Sequence, residues 1–191
     1  MTGHPLPAEH ATHERPSASG DVPDEVVLLG EDGRPVGAAD RIRVHTSDTP
    51  LHLAFSFHAV HGDRTLLTRR DVGKVTWPGV WSNTACGHPR PGEAVEDAVR
   101  RRVAEELGAA VGELRLVLPQ FRYRAVDASG VVENEICPVF VGTLEGDPDP
   151  DPTEVMDHAW VDRAAVLDAA RHAPMLLSPW SVLQFTGFGG D

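Results

Sequence analysis

Only two of the 191 residues are cysteine, Cys86 and Cys137. Nothing at the N-terminus has the charged-then-apolar pattern of a secretory signal, so a reducing, cytoplasmic compartment is expected. Basic side chains are also scarce, with 17 Lys and Arg against 29 Asp and Glu and a formal net charge of -12. That balance argues against sequence-independent binding to nucleic acid or to an anionic membrane surface. An anionic ligand would have to be met by a few cations gathered locally. No apolar run approaches the roughly 20 residues that cross a bilayer, and no internal repeat is present.

What is there suffices for one hydrophobic core. At 41% apolar content the chain is expected to form a single domain over residues 23–191. Residues 1–22 are rich in Pro, His, Ser and charge without an apolar period, the composition of a disordered tail. Strands are predicted at Glu25 to Leu29, Leu51 to Phe57, Thr65 to Arg70, Gln120 to Ala125, Val131 to Val141 and His158 to Val161. Asp32-Gly33 reads as a hairpin turn. In the second of these strands Leu51, Leu53, Phe55 and Phe57 share one face, so His52 is expected to point away from the core-forming side. From Glu93 to Leu107 a valine or leucine recurs at Val95, Val99, Val103 and Leu107, and Gly108 supplies a C-terminal stop, which predicts a helix. A second helix is predicted over Arg163 to Arg171. Several strands interleaved with two helices, without regular alternation, favour an α+β fold of mixed sheets.

The chemistry concentrates between Asn83 and Gly108. Cys86 and His88 place a thiol and an imidazole two residues apart, just ahead of a helix that ends in the paired carboxylates Glu105 and Glu106. Gly87-x5-Glu93-x7-Arg101-x3-Glu105-Glu106-x-Gly108 matches most of the Nudix box, the signature of enzymes that bind diphosphates through metal ions. The box normally carries a glutamate after its arginine, and here that place is Arg102. Spacing of i to i+4 stacks Arg102 with Glu106 on one flank of the helix. A cation thus stands where a hydrolase would have a metal-binding carboxylate.

The chain resembles one branch of that superfamily, the type 1 isopentenyl-diphosphate isomerases. The resemblance runs over roughly residues 24–183. It lies in His45-Thr46-x-Asp48-Thr49-x-Leu51-His52-Leu53-Ala54-Phe55, Trp77-Pro78-Gly79-Val80-Trp81, Cys86-Gly87-His88-Pro89, Phe121-Arg122-Tyr123-Arg124-Ala125, Val132-Glu133-Asn134-Glu135-x-Cys137-Pro138 and Ser178-Pro179-Trp180. It implies a Nudix fold, with mixed β-sheets sandwiched by α-helices. The implied activity is interconversion of isopentenyl and dimethylallyl diphosphate, by protonation and deprotonation through a tertiary carbocation.

Three groups of residues follow from the resemblance. His45, His52, His88, Glu133 and Glu135 are implied as one metal site. Such a mixed nitrogen and oxygen set suits Mn²⁺, with Zn²⁺ or Fe²⁺ as alternatives, better than Mg²⁺. Cys86, Glu135, Tyr123 and Trp180 are implied as catalytic. A thiol and a carboxylate can carry protons on two sides of an alkene, and an indole face can meet a developing cation. Arg41, Arg70, Lys74 and Arg102 are implied as diphosphate contacts, with Arg43 as the alternative to Arg41. Glu106 and the backbone carbonyl of Cys86 would hold a Mg²⁺ shared with the substrate. His4, His10, His13, His58, His61, His158 and His172 match no ligand position and are expected to be surface or packing residues. The expected partner is a small isoprenoid diphosphate, with no nucleic acid and no membrane, on a monomer or alternatively a homodimer. Two other readings stand beside this one: a Nudix diphosphatase, which would tolerate loss of Cys86, and a non-catalytic diphosphate-binding module.

Overall fold

The computed structural model describes residues 24–188, and the tail expected at residues 1–22 lies outside them. Two mixed sheets and three α-helices form an α+β arrangement. The first sheet is built from β1 (Glu25–Leu29), β2 (Pro35–Asp40), β3 (His52–Leu53), β9 (Arg122–Val126) and β10 (Val132–Ile136), in the order β2-β1-β3-β10-β9. The second contains β4 (Phe55–His61), β5 (Arg64–Arg70), β8 (Ala110–Leu118), β11 (Val139–Glu145) and β12 (Val155–Asp162), in the order β12-β5-β4-β11-β8. Short strands β6 (Trp81–Ser82) and β7 (Ala85–Gly87) pair with β5 and β4. No helix among the described residues is long and apolar enough to cross a membrane.

Two predicted strands each divide between the sheets. The alternating segment 51–57 breaks at Ala54, whose N–H donates to the Ile136 carbonyl at 3.0 Å, so β3 joins the first sheet and β4 the second. Segment 131–141 breaks at Cys137 and Pro138 for a related reason: proline has no N–H to continue a ladder. The severed halves run side by side, β10 parallel to β3 with Glu135 opposite His52, and β11 parallel to β4 with Val139 opposite Ser56. His52 lies in a different sheet from Phe55 and Phe57, so the expected alternation does not carry across the break, and it does not face solvent. Its own face is covered too, and His52, Ser56 and His58 are all buried.

Helix α1 (Val95–Leu107) starts two residues later than predicted. Glu93 lies in the preceding loop, where its carboxylate accepts from the Arg90 N–H at 2.8 Å. Val99, Val103 and Leu107 are fully buried against Phe55, Phe57, Leu66 and Phe140 of the second sheet, each burial contributing about 1.5–3 kcal/mol. Gly108, at φ 61°, closes the helix by donating to the Ala104 carbonyl at 3.1 Å. On the opposite face of that sheet, Leu67 packs against Val166 and Ala170 of α2 (Arg163–His172) and Phe185 of α3 (Pro179–Phe188). The helices thus sandwich the second sheet. The sequence pattern predicts neither strands β2, β6, β7 and β8 nor helix α3. β2 is largely exposed, β8 is an edge strand carrying Glu113 and Arg115, and α3 opens on Pro179 with few strong helix formers.

Candidate active site

A cavity of about 530 Å³ opens beside α1 and β7 and gathers residues from all three expected groups. Its wall holds Cys86, Tyr123, Glu135 and Trp180, the four cations Arg41, Arg70, Lys74 and Arg102, and Glu106 with Glu133. His45 and His88 also reach it, while His52 is fully buried beneath.

The imidazole and carboxylate group converges from four segments. His45 follows β2, His52 sits on β3, His88 follows β7, and Glu133 and Glu135 leave the same face of β10. The ligand atoms of His45, His52, His88 and Glu135 all lie within 4.8 Å of one another. His52 Nε2 is 3.2 Å from His88 Nε2, and Glu135 Oε1 is 3.1 Å from His88 Nε2 and 3.4 Å from His52 Nε2. Glu133 stands beside this set of four, 3.1 Å from His45 Nε2, with its other oxygen accepting from Thr76 Oγ1 at 2.7 Å.

This donor set fits a divalent cation. His52 Nδ1 lies 2.9 Å from the Pro50 carbonyl, which only accepts, so a neutral His52 keeps its Nε2 lone pair turned toward His88 and Glu135. Buried His45 Nε2 and Glu133 Oε2 make no hydrogen bond, an arrangement that costs free energy unless a cation or proton lies among them. Titration follows the same logic. Burial alone would raise Glu135, but His52 and His88, which in their protonated forms donate to it, outweigh burial and hold the carboxyl well below the usual carboxylate range. Burial opposes protonation of His52, yet Glu135 beside it raises the imidazole overall, whereas burial lowers His88.

Cys86 enters from β7, opposite Ser56 of β4. Burial pushes its thiol up to about 11, so it carries its proton at neutral pH. Tyr123 faces Glu135 in the β9–β10 register, and burial together with that carboxylate raises its phenol. Tyr123 and Trp180 rings lie 5.7 Å apart, and Trp77 meets Trp180 edge-on at 5.3 Å. Trp77 is the one non-glycine among the described residues with positive φ, 44°. One arrangement differs from the expected division of labour: the Arg70 guanidinium lies over the Trp180 ring at 5.4 Å, so a cation already occupies one indole face.

Each expected diphosphate contact already has an acceptor. Arg41 pairs with Asp24 at 2.8 Å, Arg70 donates to the Thr76 carbonyl at 2.9 Å, and Lys74 pairs with Glu154. Arg102 pairs with Glu106, and with Glu105 at 2.9 Å. Burial lowers the Lys74 ammonium to about 8, against the opposing pull of Glu106. Arg101 of the box ties helix to site, donating to Glu93 at 2.7 Å and to the His88 carbonyl at 3.2 Å. Asp24 and Glu154 line the cavity without having been anticipated, and no local pattern distinguishes them from other surface acids. Cys137 is a free buried thiol in the apolar cluster with Ala54, Tyr123 and Trp180.

Residues 50–178 match the family model of the NUDIX domain. A protein of Frankia alni named isopentenyl-diphosphate Delta-isomerase is 57% identical over 175 residues, covering 91% of this chain and 90% of its own. One of the same name from Paenarthrobacter aurescens is 53% identical, covering 84% and 88%. Among solved structures, a MutT NUDIX hydrolase from Burkholderia pseudomallei superposes with a TM-score of 0.57 at 24% identity, over 72% of this chain and 98% of its own. At that identity the likeness speaks for the fold alone.

Proposed function

From the premise that the chain belongs to the NUDIX family, in its isopentenyl-diphosphate Delta-isomerase branch, we propose a division of the catalytic work among its residues. The enzyme interconverts isopentenyl and dimethylallyl diphosphate. The double bond moves when a proton is added at the terminal alkene carbon, giving a tertiary cation, and another is lost from the carbon on the diphosphate side. Cys86 carries the proton on one side of the alkene, and Glu135 with Tyr123 carries it on the other. Trp180 steadies the cation between the two steps, an interaction worth about 2 kcal/mol or more when desolvated. One transposition leaves donor and acceptor with exchanged protonation states. Exchange with solvent resets them, and solvent hydrogen therefore enters the substrate.

Arg41, Arg70, Lys74 and Arg102 hold the diphosphate, exchanging their present carboxylate and carbonyl partners for phosphate oxygens. His45, His52, His88 and Glu135, with Glu133 adjoining, would hold Mn²⁺, or Zn²⁺ or Fe²⁺ in its place. Glu106 and the Cys86 carbonyl would hold a substrate-bound Mg²⁺. Bound there, the ions supply positive charge that keeps Glu135 oriented and neutralises the diphosphate. We assign the work to one domain over residues 23–191, acting as a monomer in a reducing cytoplasm, in keeping with two free thiols.

The observation that carries this reading is the meeting of Cys86 and Glu135 in one cavity with Trp180 and the four cations. Purified protein with Mg²⁺ and Mn²⁺ should incorporate solvent deuterium into isopentenyl diphosphate and form dimethylallyl diphosphate. Absence of both would overturn it. A diphosphatase would release phosphate instead, and Arg102 in place of the usual glutamate weighs against that outcome. Tight ligand binding without exchange would mark a non-catalytic module.

A further inference from the structure

Asn83, buried behind the reacting groups, belongs to none of the three groups above. Its neighbours leave its amide one orientation. Nδ2 donates to two backbone carbonyls, Phe57 O at 3.2 Å and Ala85 O at 2.8 Å, which can only accept. Oδ1 accepts from the Trp180 indole Nε1 at 2.9 Å, which can only donate. With the amide fixed this way, the atom 3.1 Å from Cys86 Sγ is the carbonyl oxygen, and the thiol meets it by donating its proton.

One oxygen therefore receives both the S–H of Cys86 and the N–H of Trp180, and a carbonyl has two lone pairs to offer. Ser82 and Ser181 hydroxyls also approach it, at 2.9 and 3.2 Å. The Ser82 hydroxyl has alternatives in Ser178 at 3.0 Å and Ser181 at 3.3 Å, and the Ser181 hydroxyl, which accepts from Ser178 at 2.7 Å, has one in Ser82. Among the described residues the indole N–H has no other acceptor, so its claim on the oxygen is the firmest.

A second anchor stands on the other side of the sulfur. Ser56 Oγ lies 3.5 Å from Cys86 Sγ and accepts from Gln184 Nε2 at 2.9 Å, and Gln184 Oε1 lies 2.8 Å from His58 Nε2. The Gln184 amide thereby fixes the Ser56 oxygen as an acceptor and leaves its one O–H to two sulfurs within reach, Cys86 Sγ at 3.5 Å and Cys137 Sγ at 3.4 Å. Cys86 Sγ thus has two polar neighbours, the Asn83 carbonyl oxygen that accepts its proton and the Ser56 hydroxyl.

We propose that Asn83 is a positioning residue that locks the Cys86 thiol and the Trp180 indole into one geometry through a single carbonyl oxygen. The proposal rests on the roles given above to Cys86 and Trp180. Proton transfer to carbon demands alignment, and a misplacement of about 1 Å can cost on the order of a hundredfold in rate. A shared acceptor couples the proton carrier to the aromatic face that meets the cation, so neither can shift alone.

The metal-loaded Asn83→Ala enzyme, assayed with isopentenyl diphosphate, should lose about a hundredfold in kcat while KM and bound metal stay unchanged. Ser82→Ala removes another donor to the same oxygen without touching thiol or indole, and should keep kcat near wild type. A scaffold role alone would instead move KM and metal content together with kcat, or make Ser82→Ala equally damaging, and either result overturns the proposal. A second measurement does not depend on Asn83→Ala folding. In a proton–nitrogen correlation spectrum, the Trp180 indole resonance, assigned by its loss in Trp180→Phe, should shift in Cys86→Ala, because a donor that shares its acceptor is gone. An unmoved indole resonance overturns the coupling. Should the wild-type protein show no isomerase turnover, the functional reading fails, whereas the indole shift still decides the linkage between Cys86 and Trp180.

Discussion

Arg102 and Glu106, one helical turn apart on α1, form an ion pair on the cavity wall, with both side chains largely buried. Arg102 thereby stands over the last carboxylate of the box and extends toward Glu154, 3.5 Å away. A glutamate at this position would add a third acid beside Glu105 and Glu106.

Replacing this guanidinium should weaken the grip on substrate more than the chemistry. Arg102→Ala is expected to raise KM for isopentenyl diphosphate by about tenfold, equivalent to roughly 1.4 kcal/mol, with a smaller change in kcat. The variant should also melt earlier, since Glu106 is left buried beside an empty place. Steady-state kinetics and a thermal melt check both.

Cys86 is expected to act through its proton rather than its bulk. Cys86→Ala and Cys86→Ser should each lose between about a hundredfold and ten-thousandfold in kcat, the range of general acid–base effects, while remaining folded and metal-loaded. Near-wild-type turnover in either would remove the thiol from the mechanism.

Metal content separates the inner set from its neighbour. His52→Ala deletes a nitrogen from the group of four whose ligand atoms lie within 4.8 Å of one another, and should abolish stoichiometric metal in elemental analysis. Glu133→Gln should weaken metal affinity by roughly 10- to 100-fold, as loss of a supporting group does. Unchanged content in the Gln variant after dialysis against chelator would contradict its assignment.

The alkaline side of the pH profile should report Lys74. Burial lowers its ammonium to about 8, so the positive charge is present below that pH and lost above it. kcat/KM for the diphosphate should therefore fall above about pH 8, and Lys74→Arg, which keeps its charge, should move that decline upward. An alkaline limb unchanged in Lys74→Arg would assign the titration elsewhere.

Gly108→Ala tests the fold apart from the chemistry. At φ 61° a side chain is strained, and the added Cβ would lie 2.8 Å from the Asp149 carbonyl oxygen. A loss of about 1–3 kcal/mol is expected by denaturant titration, with kcat little changed.

Much of helix α1 was legible because its signals are local. The spacing of Val95, Val99, Val103 and Leu107 marks its buried face, and Gly108 its end. Tight packing also explains the glycine of the box, since a Cβ on Gly87 would lie 2.9 Å from Arg102 and 3.2 Å from Phe55. The expected His52, His88 and Glu135 do converge, although nothing in their own neighbourhoods reveals that Glu135 sits opposite His52 across a parallel pair. Only the likeness of separated motifs carried that information. The breaks at Ala54 and Cys137 escaped the alternation rule because both faces of these strands are buried, which erases the contrast the rule reads. Asn83 was hidden for a different reason: its donors, Cys86 and Trp180, lie on separate elements, and an asparagine beside a short strand reads as a turn residue.

The two split segments also bear on how the chain folds. Residues 52–59 and 135–142 leave one sheet and enter the other as neighbours, through parallel pairings between parts of the chain that are distant in sequence. Contacts of that kind are slow to form, because a large loop must close before any of them is rewarded. The thiol sits on one side of this crossing and the imidazole and carboxylate cluster spans it, so a partly folded chain holds neither the complete cluster nor the enclosed cavity. Competence should arrive late and all at once during refolding, with metal uptake and activity recovering together, after helix α1 has formed.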